Sequence, residues 1–365
     1  MYLPDHGANP KALYERLGLT MPEQVIDLSE NVNALGQPAG MKEVWQQLFT
    51  TLSAYPHMQA EPLRSELASG LSVDASHVVV TNGAAEGLMA LAQLVKGREA
   101  ILLEPSFSEY KRTLQQQGIE VLPLLVDDIC SYQVPLERLA EMLHEKSVLY
   151  ICNPNNPTGV CQSRKMMLQL VELTKKYGAW LIVDEAFIDF TNESSSVVDL
   201  VKSNPHLFVL RSMTKMYALA SARLGYVVSQ QATKLAQFLP HWSVSGVAIE
   251  LGRFCLQQHD FVKQSKEFSD EQRLDLQHFL RARGCLVTDS STNFLAFKPP
   301  FAVKPFYTYL LSHGIVTRHT ENFLGLDGDW LRIGMKDALA LAVFKERWQH
   351  YENDSLHSPR TNGME

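Results

Sequence analysis

Short, unbroken apolar runs punctuate the chain, and each one stops abruptly at a polar residue or a proline. Ala100-Ile101-Leu102-Leu103 ends at Glu104-Pro105, the run 148–152 at Asn153-Pro154, 180–183 at Asp184, and 207–210 at Arg211-Ser212. Residues that are apolar at consecutive positions, rather than at alternate ones, belong to strands buried on both faces of a parallel sheet. Amphipathic stretches of helical length lie between the runs, at 86–95, 107–117 and 165–177. Strand alternating with helix predicts a doubly wound, mostly parallel α/β domain. From about residue 249 the pattern changes to long helical periodicity, as in 268–283. Short strands follow near 293–297 and 331–334, which predicts a smaller α+β domain. The resulting division is an N-terminal segment (1–40) packing on the small domain and the site, a large domain (41–250), a small domain (251–350) and a polar, flexible tail (351–365).

Composition adds boundaries to this picture. A chain of 365 residues exceeds the roughly 250–300 that one hydrophobic core supports, so two domains are expected. With 45% hydrophobic and 20% charged residues it is an ordinary globular composition, which excludes global disorder. The net charge of -7 leaves no basic field to hold a nucleic acid. No apolar run is long enough to span a bilayer, and residues 1–7 have neither the basic nor the apolar stretch of a signal peptide. The five cysteines are scattered, odd in number and never spaced Cys-x-x-Cys, so neither a disulfide framework nor a metal site is expected. A reduced cytoplasm is the expected location.

In an open parallel sheet, ligands bind beyond the carboxyl ends of the strands. The residues standing there are Asn153 to Gly159, then Asp184-Glu185-Ala186-Phe187, then Arg211-Ser212-Met213-Thr214-Lys215. Upstream, 78–80 leads through Thr81-Asn82 into Gly83-Ala84-Ala85, which opens a helix. Taken singly, Asp184 is a strand-end acid, 153–159 a turn and Lys215 a surface lysine. Together, in this order and always after a strand, they supply what pyridoxal phosphate needs. Lys215 is the amine that holds its aldehyde, Asp184 the acid that keeps its ring nitrogen protonated, and Asn156 the donor to its phenolic oxygen. The amides of Gly83, Ala84 and Ala85 form the helix start for its phosphate, with Ser212, Thr214 and Arg223 completing the cup.

On the residues 153–159, 184–186 and 212–223 the chain resembles the fold-type I pyridoxal phosphate enzymes of the class I/II aminotransferase group, over about residues 5–350. Within that group it looks like the branch holding histidinol-phosphate aminotransferase and threonine-phosphate decarboxylase. The resemblance implies a homodimer with shared active sites. Phe107 would stack on the cofactor ring, and Tyr55 would reach the phosphate of the neighbouring subunit's cofactor. Arg332, in Trp330-Leu331-Arg332-Ile333-Gly334, corresponds to the carboxylate-binding arginine of the group. Arg318 is a second anion-binding candidate, with Asn31, Asn33 and His6 as weaker ones.

Three features favour the decarboxylase. Phe187 stands where the aminotransferases usually carry tyrosine, inside a stretch, 184–190, that matches the decarboxylase pattern residue for residue. The segment 26–36, preceded by His6-Gly7-Ala8-Asn9, resembles that enzyme's N-terminal signature, and 209–218 with 322–327 follow its pattern. Departures are Ala8 and Ala34, where the pattern has glycine and proline, and Ala220-Ser221-Ala222-Arg223 in place of Pro-Gly-Leu-Arg. Ala8 puts a methyl where the backbone favours glycine. The expected activity is decarboxylation of L-threonine O-3-phosphate to an aminopropanol phosphate for the cobalamin side chain. An aminotransferase acting on histidinol phosphate or an aromatic amino acid stays open, as does a cofactor-binding protein without turnover.

Overall fold

The computed structural model describes residues 3, 7–191 and 195–357. Seven strands build the large sheet: β1 (Val78–Asn82), β2 (Glu99–Glu104), β3 (Val121–Leu125), β4 (Ser147–Cys152), β5 (Trp180–Asp184), β6 (Leu207–Ser212) and β7 (Leu224–Val228). Their order across the sheet is β1-β7-β6-β5-β4-β2-β3. All pairs are parallel except those of β7, which runs antiparallel to β1 and to β6. The consecutive apolar residues divide by parity between the two faces. Ile101, Leu149, Leu181 and Val209 enter one apolar cluster, while Leu102, Val148, Ile182 and Phe208 enter the other.

Helices α1 (Gly83–Leu94), α2 (Ser108–Gln116) and α3 (Arg164–Lys176) fall close to their expected positions. Strands β3 and β7 have no counterpart in the expected set. β3 is an edge strand interrupted by Pro123, a residue that edges tolerate. β7 carries Gly225, where a Cβ would come within 2.6 Å of Ala84 N; the glycine lets the start of α1 lie directly on the strand.

Helix α4 (His259–Arg281) begins nine residues before the expected stretch. After it, β8 (Leu286–Val287), β9 (Phe294–Lys298), β10 (Arg318–His319) and β11 (Leu331–Gly334) form an antiparallel sheet in the order β10-β11-β9-β8. Its core, around Leu280, Phe297, Phe306 and Trp348, also takes in Leu13, Tyr14 and Leu28. Tyr14 OH donates to Leu311 O at 2.6 Å, and Ile26–Asp27 pairs in parallel with Ile315–Val316. The N-terminal segment is thus sewn into this second layer.

The polar tail expected from 351 onward is helical as far as His357. Helix α5 runs Ala338–His357, because Tyr351 packs against Phe301 and Phe306 and Glu352 pairs with Arg283 at 3.5 Å. Polar composition had hidden one more apolar contact at helical spacing. Among the described residues no helix is long and apolar enough to cross a membrane, and no cluster of His, Cys, Asp or Glu could hold a metal.

Candidate active site

Residues at or just beyond the ends of the apolar runs, among them Asn156, Asp184, Ser212 and Lys215, line a cleft of about 350 Å³ at the carboxyl edge of the large sheet. Strand register brings the first two together. Cys152 of β4 lies opposite Asp184 of β5, and Asn153 N donates to Asp184 O at 2.8 Å. The loop 153–159 is then closed on itself, Asn155 N donating to Val160 O and Asn155 Nδ2 to Thr158 Oγ1, both at 2.8 Å. That holds Asn156 at the cleft. Its Oδ1 accepts from Arg332 Nη1 at 2.6 Å, which fixes the amide's orientation and leaves Nδ2 as a donor to a ligand.

Asp184 is buried but well supported. Its Oδ2 accepts from Tyr110 OH at 2.7 Å and its Oδ1 from Ala186 N at 2.9 Å. Burial raises its pKa, and the two donors together with Lys215 oppose that rise. Lys215, after β6, is pushed down to about 8 by burial and by the guanidiniums of Arg332 and Arg223, against the pull of Glu30 and Asp184. An amine so depressed is about one tenth neutral at pH 7, far more than an ordinary lysine, and nucleophilic attack on a carbonyl requires the neutral form.

A cradle for an anion lies at one end. Helix α1 opens at Gly83 in the left-handed region, φ +75°, where a Cβ would stand 2.7 Å from Arg223 Nη2. A side chain at 83 would push the guanidinium away from the helix start. Ala84, Ala85, Ser212 and Thr214 line the same end with Arg223, whose Nη1 donates to Ala220 O at 3.0 Å. Helix amides and a guanidinium converging in this way suit a doubly charged phosphate. Phe107 and Phe187 line the cleft between cradle and arginines. Phe187 meets Phe294 edge-on at 4.8 Å, with Lys215 Nζ 5.8 Å from its ring centre. Pyridoxal phosphate fits this donor set: an anion cradle, a buried acid, an apolar ring between them and a depressed amine.

At the other end two guanidiniums face the cleft from the small sheet. Arg318 and Arg332 are register partners across β10 and β11, an arrangement that sets like charges against each other. Arg332, buried, is lowered to about 9 by that burial and by Arg318; its Nη2 donates to Ser29 O at 2.6 Å. Arg318 donates to His319 O at 2.8 Å and to Asn322 Oδ1 at 2.7 Å. Asn31, in the amide orientation its neighbours require, accepts from Arg332 Nη1 at 3.1 Å.

Two expected residues stand elsewhere. Asn33 does not line the cleft. Its Nδ2 donates to Met216 O and Ser265 Oγ, both at 2.7 Å, and its backbone N to Lys215 O at 3.1 Å, so a buried side chain with every group engaged has nothing left for a substrate. It clasps the lysine loop instead. Tyr55 is 85% exposed and touches Trp242 at 5.2 Å, outside this chain's own cleft. His6 lies outside the described residues. Conversely, Tyr110 and the Glu30–Lys336 pair (2.6 Å) were not among the sequence candidates. Tyr110 was signalled only by its place one helical turn after Phe107. Ala8, where glycine was expected, adopts φ +65°, and its N donates to Ser29 Oγ at 3.0 Å.

Comparison with known proteins places this geometry. The family described as aminotransferase class I and II matches residues 23–343. The threonine-phosphate decarboxylase of Salmonella typhimurium is 30% identical over 338 residues, covering 91% of this chain and 92% of that protein. The histidinol-phosphate aminotransferase of Lactiplantibacillus plantarum is 29% identical, covering 88% of this chain and 89% of that protein. Among solved structures, the histidinol-phosphate aminotransferase from Clostridium acetobutylicum superposes with a TM-score of 0.84 at 26% identity, covering 90% of this chain and 99% of that one.

Proposed function

The chain belongs to the aminotransferase class I and II family of pyridoxal phosphate enzymes, and from that premise we propose that it decarboxylates L-threonine O-3-phosphate. The observation that carries this reading is the cross-strand pair Arg318–Arg332 facing one cleft. Two guanidiniums facing one cleft suit a substrate that carries two anions, and an amino-acid phosphate carries a carboxylate and a phosphate. The 30% identity to a threonine-phosphate decarboxylase over nine-tenths of the chain supports the same choice. The product is an aminopropanol phosphate of the kind used in the cobalamin side chain.

Lys215 would hold pyridoxal phosphate, Asp184 face its ring nitrogen, Asn156 Nδ2 its phenolic oxygen, and Gly83, Ala84, Ala85, Ser212, Thr214 and Arg223 its phosphate, with Phe107 and Phe187 against the ring. When bound, the cofactor withdraws electrons from the substrate's Cα. Which bond at Cα breaks is then decided by orientation. Arg332, anchored by Ser29 O and Asn156 Oδ1, and Arg318, anchored by Asn322, set the directions in which the two anions are gripped. Asn31 and the N-terminal residues Gly7 and Ala8 close the substrate end against water. The depressed amine of Lys215 returns a proton to Cα. Phe187 offers no hydroxyl, so Asn156 is the only donor we assign to the phenolic oxygen.

We further propose a cytoplasmic homodimer in which Tyr55 enters the neighbouring subunit's cleft. Trp45, Phe49 and Leu52 are exposed near it at 59%, 77% and 67%, a cluster that a second copy would cover. The 0.84 TM-score with a histidinol-phosphate aminotransferase favours a second reading, transamination of histidinol phosphate or an aromatic amino acid. A single-turnover reaction with L-threonine O-3-phosphate separates the two. Carbon dioxide released with the cofactor's visible spectrum restored supports the lyase. Conversion of the cofactor to its amine form without carbon dioxide supports the aminotransferase.

A further inference from the structure

Tyr110 reaches Asp184 from another layer of the fold. Asp184 ends β5, whereas Tyr110 sits on the first turn of α2, 74 positions away in sequence, and its hydroxyl donates to Asp184 Oδ2 at 2.7 Å. The phenol is 2% exposed. Its ring meets that of Phe107 edge-on, with centroids 5.7 Å apart at 85°, and lies 6.1 Å from the ring of Tyr150. One residue therefore touches both the buried acid and the aromatic ring placed against the cofactor.

We infer that Tyr110 is a positioning residue that keeps Asp184 ionised and aimed at the cofactor's ring nitrogen. The inference rests on the reading of the cleft as a pyridoxal phosphate site. A carboxylate removed from water is costly unless its lone pairs are satisfied. Ala186 N supplies one oxygen of Asp184 from its own turn, and Tyr110 supplies the other, so the carboxylate plane is held at both ends.

The surrounding groups leave the phenol as the adjustable partner. Glu185 opposes ionisation of Asp184 and Lys215 favours it, while the Cys152 thiol, which donates to Pro154 O at 3.1 Å, also neighbours the Tyr110 hydroxyl. Burial holds the phenol's own pKa well above its ordinary value, so it remains a donor throughout the working range. A buried tyrosine needs some acceptor in any fold, and a purely structural role would be served by any backbone carbonyl. What separates the two roles is the charge on the acid.

The test uses the full-length protein, stripped of cofactor and titrated with pyridoxal 5'-phosphate and with 1-deazapyridoxal 5'-phosphate, in which carbon replaces the ring nitrogen. Binding is read by quenching of tryptophan fluorescence. Tyr110→Phe keeps the ring and its packing and removes only the hydroxyl. The expected result is an affinity for pyridoxal 5'-phosphate lowered about tenfold, the equivalent of one pKa unit on the acid, with the affinity for the deaza compound unchanged. In an Asp184→Asn background the same substitution should cost nothing further, and Asp184→Asn alone should abolish the preference for the nitrogen-containing ring. Equal losses for both compounds, or no loss for either, would overturn the inference. Failure of the unsubstituted protein to bind pyridoxal 5'-phosphate would overturn the underlying reading of the cleft instead.

Discussion

Replacing Lys215 by methionine should make the cofactor-free protein more stable. The lysine amine stands in a cleft where burial and two guanidiniums bring its pKa from 10.5 to about 8. The folded state therefore disfavours the charged amine, and at ~1.4 kcal/mol per tenfold the full penalty is about 3 kcal/mol. Water in the open cleft screens part of it, so about 2 kcal/mol is the figure to look for. The sign follows from the direction of the shift. The penalty is complete below pH 8, shrinks as pH rises from 8 toward 10.5, and vanishes once the unfolded chain's lysine is neutral as well. Lys215→Met preserves the length of the stem while removing the charge. Urea unfolding at pH 7 and pH 9 measures the difference in stability between variant and parent. A gain near 2 kcal/mol at pH 7 that falls by about 1 kcal/mol at pH 9 supports the reasoning. No gain at pH 7 would refute the depressed amine, and a gain equal at both pH values would assign the effect to packing. Saturating pyridoxal phosphate should reverse the ranking, since the parent alone gains the covalent hold.

Glu104, at the end of β2, gives a second and opposite pH dependence. Burial raises its carboxyl from 4.5 to about 7, against the Ser106 hydrogen bonds and Lys111. The stability it allows is present below pH 4.5 and lost as pH rises through 7. Glu104→Gln keeps an acceptor for Ser106 N and should add about 2–3 kcal/mol more at pH 8 than at pH 5, read from urea midpoints; a pH-independent effect would count against it. Phe49→Asp, at a position 77% exposed, should halve the mass seen by analytical ultracentrifugation if that face joins two copies. A variant with the parent's mass would remove the face from the dimer.

How much of this was legible depended on what each residue is surrounded by. Strands β2, β4, β5 and β6 could be read because helices cover both faces of the sheet, which forces apolar residues at every position. β3 could not, because an edge strand admits Pro123 and exposed residues; nor could β7, where Gly225 breaks the run so that Ala84 can approach. The residues grouped at the cleft were found by the same logic, since Asp184 stands where such a run ends and Asn156 and Lys215 follow the ends of two others within five residues. Tyr110 escaped because a tyrosine on an amphipathic helix reads as core, and its partner is remote in sequence. Asn33 was misread for the converse reason. Its segment does border the cleft, but the side chain is turned inward to Met216 and Ser265, an orientation that spacing does not encode. Tyr55 is merely exposed within one chain, and the role proposed for it requires a second copy.

The two ends of the cleft are delivered by two separate registers, and this bears on how the site is built. The pairing of Cys152 with Asp184 aligns the cofactor end within the large sheet. The pairing of Arg318 with Arg332 aligns the arginine end within the small one. The hydrogen bonds that join them are few and specific. Arg332 reaches Asn156 of the large sheet's loop and Ser29 of the N-terminal segment. Asn33, four residues beyond Ser29, ties that same segment to both Lys215 and Met216. A slip of one residue in either sheet would turn its contribution to the opposite face, so the orientation at Cα that we propose depends on both registers at once. A guanidinium whose two nitrogens are anchored on two different layers is thus the point at which folding of the small sheet and chemistry at the large one become a single constraint. The N-terminal segment, whose Leu13, Tyr14 and Leu28 lie in the core of the small sheet, thereby carries hydrogen bonds to both ends of the cleft.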